Sequence, residues 1–191
     1  ISANKGSFNI TASQGKLIIT NNITKTKNIV DSYAGIAKSM YIEYLDPYAL
    51  ITIDCGCDYK PIIVDTNKSI LLHRFTQLFD AAFLNSVSPD KRYLIIDVGT
   101  GPGSRDFHIF DSQSKTFVYD GYWQSAQDFK WLSEGVFTFF NVFGPEAPGL
   151  PSLTNPKNQQ PGEPNMYIQR IIWDNGTIKK TDEYKAVFIS S

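Results

Sequence analysis

A phrase that recurs at near-constant spacing constrains this chain more than any other feature. Tyr44-Leu45-Asp46-Pro47-Tyr48-Ala49-Leu50-Ile51-Thr52-Ile53-Asp54 shares its layout with Ser86-Val87-Ser88-Pro89-Asp90-Lys91-Arg92-Tyr93-Leu94-Ile95-Ile96-Asp97. A weaker third copy runs from Trp131 through Ser133-Glu134-Gly135 into Phe137-Thr138-Phe139-Phe140-Asn141. In each, a polar turn feeds a short run of strand-forming residues. The anchors Leu50, Leu94 and Phe137 lie 44 and 43 residues apart. A second element follows each copy: Ile62-Ile63-Val64-Asp65, His108-Ile109-Phe110-Asp111 and Ile171-Ile172-Trp173-Asp174. Each ends in aspartate, continues into turn residues, and then into a further strand such as Thr116-Phe117-Val118-Tyr119-Asp120. A period of this length marks a supersecondary unit that cannot bury its apolar face alone and so stacks on its neighbours.

The spacing is close to the ~40–45 residues of a propeller blade. Ser88-Pro89-Asp90-Lys91-Arg92-Tyr93-Leu94, followed by Phe110-Asp111 and a turn, resembles the blades of periplasmic and WD40-like β-propellers over roughly residues 44–180. The resemblance implies a mainly β fold, an incomplete or small propeller-like assembly of antiparallel sheets. Ser7 to Thr11 and Lys16 to Thr20 alternate apolar and polar residues around Ser13-Gln14-Gly15, so the chain opens with a hairpin. Residues 28–44 and 69–84 carry apolar stripes near a 3.6-residue period and accommodate one or two short helices. The length of 191 residues makes a single domain, 1–191, the default expectation. Within it, the breakers Gly144-Pro145, Pro148-Gly149, Pro151, Pro156, Pro161-Gly162 and Pro164 make 143–165 a long loop.

Charge excludes one large class of partner. Lys and Arg total 18 against 19 acids, which leaves no basic footprint for nucleic acid. No apolar run reaches the ~18 residues that would predict a membrane span. The start at Ile1, with the richness in Asn, Thr and Ser, leads to an expectation of a periplasmic or secreted protein. Cys55-Gly56-Cys57 is either a small-ring disulfide with little loop entropy to remove or a pair of strand-end thiols. Neither cysteine has the histidine company of a metal site, so no metal is expected.

Leu94-Ile95-Ile96-Asp97-Val98-Gly99-Thr100-Gly101-Pro102-Gly103 looks like the first motif of class I methyltransferases, in which a glycine turn after a strand brings bare backbone to S-adenosylmethionine. Asp120 falls where that family places its ribose-binding acid. The motif needs a helix after the turn. Ser104 to Lys115 has no continuing apolar stripe and reads as strand then turn, so methyl transfer is the alternative function here, not the leading one. No catalytic set emerges elsewhere, and no cofactor is expected: Ser104 lacks a nucleophile elbow, and His108 sits in an apolar strand as a structural histidine would. The leading expectation is a non-catalytic domain that binds a protein. The run from Ser86 to Phe140 is similar in layout to periplasmic immunity proteins of type VI secretion, which block cell-wall amidase toxins with a loop. That resemblance implies a partner-binding site at the hairpin tip Gly101, Pro102, Gly103, Ser104 and Arg105. Separately, of the aromatic cluster Tyr119, Tyr122, Trp123, Phe129 and Trp131, the residues Tyr122 and Trp123 remain available for a binding surface.

Overall fold

The computed structural model describes residues 1–57, 59–76, 81–101, 104–122, 126–141, 166–174 and 177–186. Among the described residues every regular element is a strand. The strands form four four-stranded sheets, each an antiparallel meander in which neighbours in sequence are neighbours in the sheet. The fold is thus mainly β, a small propeller-like series of antiparallel sheets.

The chain divides into two compact units, Ile1–Leu78 and Phe79–Ser191. The first holds β1 (Ser2–Asn4), β2 (Phe8–Ser13), β3 (Lys16–Asn21) and β4 (Lys27–Ser32) in one sheet. Its second sheet comprises β5 (Ser39–Leu45), β6 (Tyr48–Asp54), β7 (Ile62–Asp65) and β8 (Ile70–Arg74). The second unit holds β9 (Ala81–Val87), β10 (Tyr93–Gly101), β11 (Ser104–Asp111) and β12 (Thr116–Tyr122) in one sheet. Its other sheet comprises β13 (Ala126–Ser133), β14 (Val136–Asn141), β15 (Met166–Asp174) and β16 (Thr177–Ala186).

The repeat anchors occupy one topological position: Leu50, Leu94 and Phe137 lie on β6, β10 and β14, the second strand of each sheet. The aspartate-ended elements fall on the third strands β7, β11 and β15. Among the described residues, no helix forms where the stripes accommodated one or two. Residues 28–44 are β4 and β5, joined through Gly35, whose φ of 86° lies in the left-handed region and ends any helix. The described part of 69–84 is β8 and the start of β9. In both stretches, apolar residues from two strands and the chain between them imitate helical spacing.

Burial explains why some strands read as alternating and others as continuous. On β2, Phe8, Ile10 and Ala12 are buried while Asn9 and Thr11 are half-buried, so the first sheet presents one face to its core. On β6 and β7 nearly every residue is buried, as are Tyr93 to Val98 of β10, so these strands are covered on both faces and lose the polar alternation. The core of the first unit joins Phe8, Ile10, Leu17 and Ile19 to Ile51, Ile53, Ile62 and Val64 across its two sheets. The core of the second is aromatic: Phe107, fully buried, lies 4.9 Å from Phe129 and 5.5 Å from Phe139 between ring centroids. Rings at these separations add about 0.5–1.5 kcal/mol per pair to the burial itself.

Candidate functional site

Each sheet has two ends, and they are built differently. At one end, the turn after the third strand repeats almost atom for atom in three sheets. Asp65 Oδ1 accepts the N–H of Lys68 at 3.0 Å, and Asp111 Oδ1 accepts that of Gln113 at 2.9 Å. In the first sheet Asn21 does the same work, its Oδ1 accepting from Ile23 and Thr24 at 2.8 and 3.0 Å. Four residues further on, Lys25, Ser69 and Lys115 adopt φ of 59°, 53° and 60°. The residue after each capping side chain reaches back: Asn22, Thr66 and Ser112 donate N–H to the carbonyls of Ser7, Pro47 and Arg92, each the residue just before a second strand. These turns satisfy their own backbone groups and work as structure.

The two phrases of the middle repeat meet at this end. Arg92 donates from Nε and Nη2 to the Asp111 carboxylate, with the closest pair at 2.9 Å, while the Arg92 guanidinium stands 4.8 Å from the centre of the Tyr93 ring. Burial raises the Asp111 pKa, but the pairing with Arg92 and the N–H groups of Gln113 and Ser114 outweigh it, leaving the carboxyl below its ordinary range. Ser88, buried, accepts the N–H of Tyr93 and donates to Asp90. In the fourth sheet the pattern slips. Val136, the first residue of β14, pairs with Ile172, and Trp173 donates to Gly135, so Asp174 lies two residues past the position of Asp65 and Asp111 and is exposed.

The opposite end collects the residues that the sequence singled out for binding. The β10–β11 ladder is paired out to Gly101 opposite Ser104, so only Pro102 and Gly103 stand between the strands; both lie outside the described residues. Thr100 is the extra residue of a bulge between Gly99 and Gly101, a feature that bends and re-aims a hairpin. Arg105 pairs with Gly99, and Tyr122 pairs with Asp106, which puts the end of β12 beside the hairpin; Trp123 lies outside the described residues. Only residues 123–125 separate β12 from β13, and the ladder pairs Ala126 with Asn141 and Asn141 with Tyr167. The chain therefore enters and leaves the proline-rich segment 143–165 at the end of the sheet that follows directly from the Tyr122 end; the segment itself lies outside the described residues. Ser104 to Asp111 is strand, so the glycine turn opens no helix, and the methyltransferase motif lacks the element that its cofactor chemistry requires.

In the first unit the same end carries a cluster that the sequence did not reveal. Tyr59 donates its hydroxyl to Asp31 at 2.8 Å, Arg74 pairs with the other Asp31 oxygen, and the guanidinium lies 5.4 Å from the Tyr59 ring centre. Burial, then the bond to Asp31, pushes the Tyr59 hydroxyl far above its ordinary range, so it stays a donor. Asp31 is on β4, Tyr59 in the β6–β7 loop and Arg74 on β8: the cluster ties the first sheet to the second. Its members lie 28 and 43 residues from Asp31 and share no motif. Cys55 and Cys57 are joined as a disulfide in the same loop, which decides between the two readings of that pair. His108 faces Phe117 edge-on at 5.6 Å, a packing role.

The sequence matches no family model and no curated protein. Solved structures with a similar course include hydrazine synthase from Kuenenia stuttgartiensis, at 14% identity and a TM-score of 0.41 over 94% of this chain and 51% of that one. The N-terminal domain of Nup159 is similar at 11% identity and 0.43, covering 95% of this chain and 42% of that one. A eukaryotic initiation factor is similar at 12% identity and 0.49, covering 96% and 44%. The chain spans about half or less of the length of these structures. No helix among the described residues is long and apolar enough to cross a membrane.

Proposed function

We propose that this chain is a non-catalytic, extracytoplasmic protein-binding domain that meets its partner at the end of the second unit defined by Gly101 to Arg105, Tyr122 and Trp123. One observation carries the reading: β10 and β11 remain paired out to Gly101 opposite Ser104, past the bulge at Thr100, so the residues that flank the turn stand on a hydrogen-bonded ladder. Flanking residues already ordered by such pairing give up less conformational entropy on binding than free chain does, which favours affinity. The convergence of this tip, the Tyr122 end of β12 and the ends of the proline-rich segment supports one surface built from several loops on a stiff sheet, as binding sites commonly are.

The finer reading is an immunity-type inhibitor of a secreted cell-wall hydrolase toxin, with periplasmic or secreted location. It is supported by the similarity in layout of residues 86–140 to type VI immunity proteins. The test is capture of purified cell-wall amidases by the chain and by Ser104→Ala with Arg105→Ala. Loss of a central interface anchor costs about 2 kcal/mol or more, so capture affinity falls roughly 30-fold. Equal capture by the variant refutes the tip as the site; no capture of any hydrolase by the parent chain refutes the inhibitor reading.

A further inference from the structure

The loop between β6 and β7 holds an arrangement that neither the repeat nor partner binding explains. Cys55 follows β6 directly and is bonded to Cys57 across the single residue Gly56. Cys55 is buried in the core of the first unit, while Cys57 is half-buried and Gly56 exposed. Gly56 has φ of 63°, a left-handed turn that glycine makes without cost and that lets the chain close so small a ring. The Lys38 amine, arriving from the connection between β4 and β5, lies 3.8 Å from where a Cβ on Gly56 would stand. The Asp54 carboxylate accepts the Gly56 N–H at 3.3 Å, so one cation and one carboxylate face the ring.

A crosslink stabilises a fold in proportion to the logarithm of the chain it encloses. This one encloses a single residue next to a strand that its neighbours already hold, so the fold does not depend on it. A disulfide at a half-buried cysteine with an ammonium beside the ring is equipped for exchange, because nearby positive charge favours thiolate over thiol.

We propose that Cys55–Cys57 is a thiol–disulfide exchange site whose co-substrate is a dithiol. One thiolate of the dithiol attacks Cys57 Sγ, the Cys55–Cys57 bond breaks, and its electron pair leaves on Cys55 Sγ, which takes a proton from water. The second thiol of the co-substrate, deprotonated by solvent, attacks the mixed disulfide and releases Cys57 as a thiolate that is protonated in turn. Two electrons and two protons pass to the protein, and the co-substrate departs as its cyclic disulfide.

The test uses the whole chain in native buffer with dithiothreitol, timed acid quenching, maleimide labelling in denaturant, and mass counting. Two labels per chain appear while circular dichroism and the amide nuclear magnetic resonance shifts of Ile1–Leu78 stay native, oxidised dithiothreitol restores the unlabelled form, and Lys38→Gln slows the reduction several-fold. The proposal is overturned if labels appear only when denaturant is present during the dithiothreitol step, if the native spectra collapse as labels appear, or if Lys38→Gln reacts at the parent rate.

Discussion

Replacing Asp111 with alanine tests the turn logic that repeats through the sheets. The carboxylate is 4% exposed, accepts from Arg92 at two nitrogens and from Gln113, and has its pKa held below the ordinary range. Breaking a buried ion pair costs about 3–5 kcal/mol when the abandoned charge stays buried. The Arg92 side chain is 31% exposed and recovers water, so the lower part of that range applies. A lost hydrogen bond to a charged acceptor is worth about 1.5–3 kcal/mol and is already contained in the cost of breaking the pair, so Asp111→Ala comes to about 3 kcal/mol. Asp111→Asn keeps an acceptor oxygen for the turn, as Asn21 does in the first sheet, and costs about 1–1.5 kcal/mol. Urea unfolding followed by tryptophan fluorescence reads the effect cleanly, because Trp123, Trp131 and Trp173 all belong to the unit Phe79–Ser191. With a slope of about 1–3 kcal/mol per molar urea, the alanine variant's midpoint falls by roughly 1–3 M. An alanine variant within about 0.5 kcal/mol of the parent, or an asparagine variant as damaged as alanine, refutes the reasoning.

Two further outcomes follow from the same geometry. Because the Asp111 pKa in the folded state lies below its unfolded value, its stabilisation is complete above about pH 4 and is lost as the pH falls through the folded pKa; acid titration of urea midpoints shows a shallower loss in Asp111→Asn than in the parent. Gly35→Ala places a Cβ 2.8 Å from the Cys55 carbonyl oxygen at a φ of 86°, so a circular dichroism melt of this variant shows about 1–3 kcal/mol of destabilisation, whereas Gly6→Ala, with nothing near its Cβ, pays only for its φ.

The sequence made the second and third strands legible because their apolar runs are continuous where both faces are covered: Leu50, Leu94, Ile62 to Val64 and His108 to Asp111 all fall where the repeat puts them. The first sheet was read only as a hairpin. Its third strand ends in Asn21 instead of aspartate, and a carboxamide oxygen caps the turn just as well, so the chemistry repeats while the letter does not. The fourth sheet misleads in the opposite way: Asp174 keeps the letter but sits two residues out of register. The helical stripes at 28–44 and 69–84 failed because two successive strands of different sheets and the chain between them mimic a helical period; in the first stretch Gly35's left-handed backbone marks the break. The convergence of Gly101 to Arg105 with the Tyr122 end was not legible, since it depends on ladder register across residues far apart in sequence. The Asp31–Tyr59–Arg74 cluster had no signal at all, being assembled from three elements with no shared motif.

The partner-binding account depends on residues 104–111 returning along β10 as extended chain. Nuclear Overhauser spectroscopy of the labelled protein reads this directly: cross-strand contacts link Val98 with Asp106 and Gly99 with Arg105, as the ladder register requires. Contacts between residues three and four apart within 104–111, with the cross-strand set missing, would make that segment a helix and contradict the account.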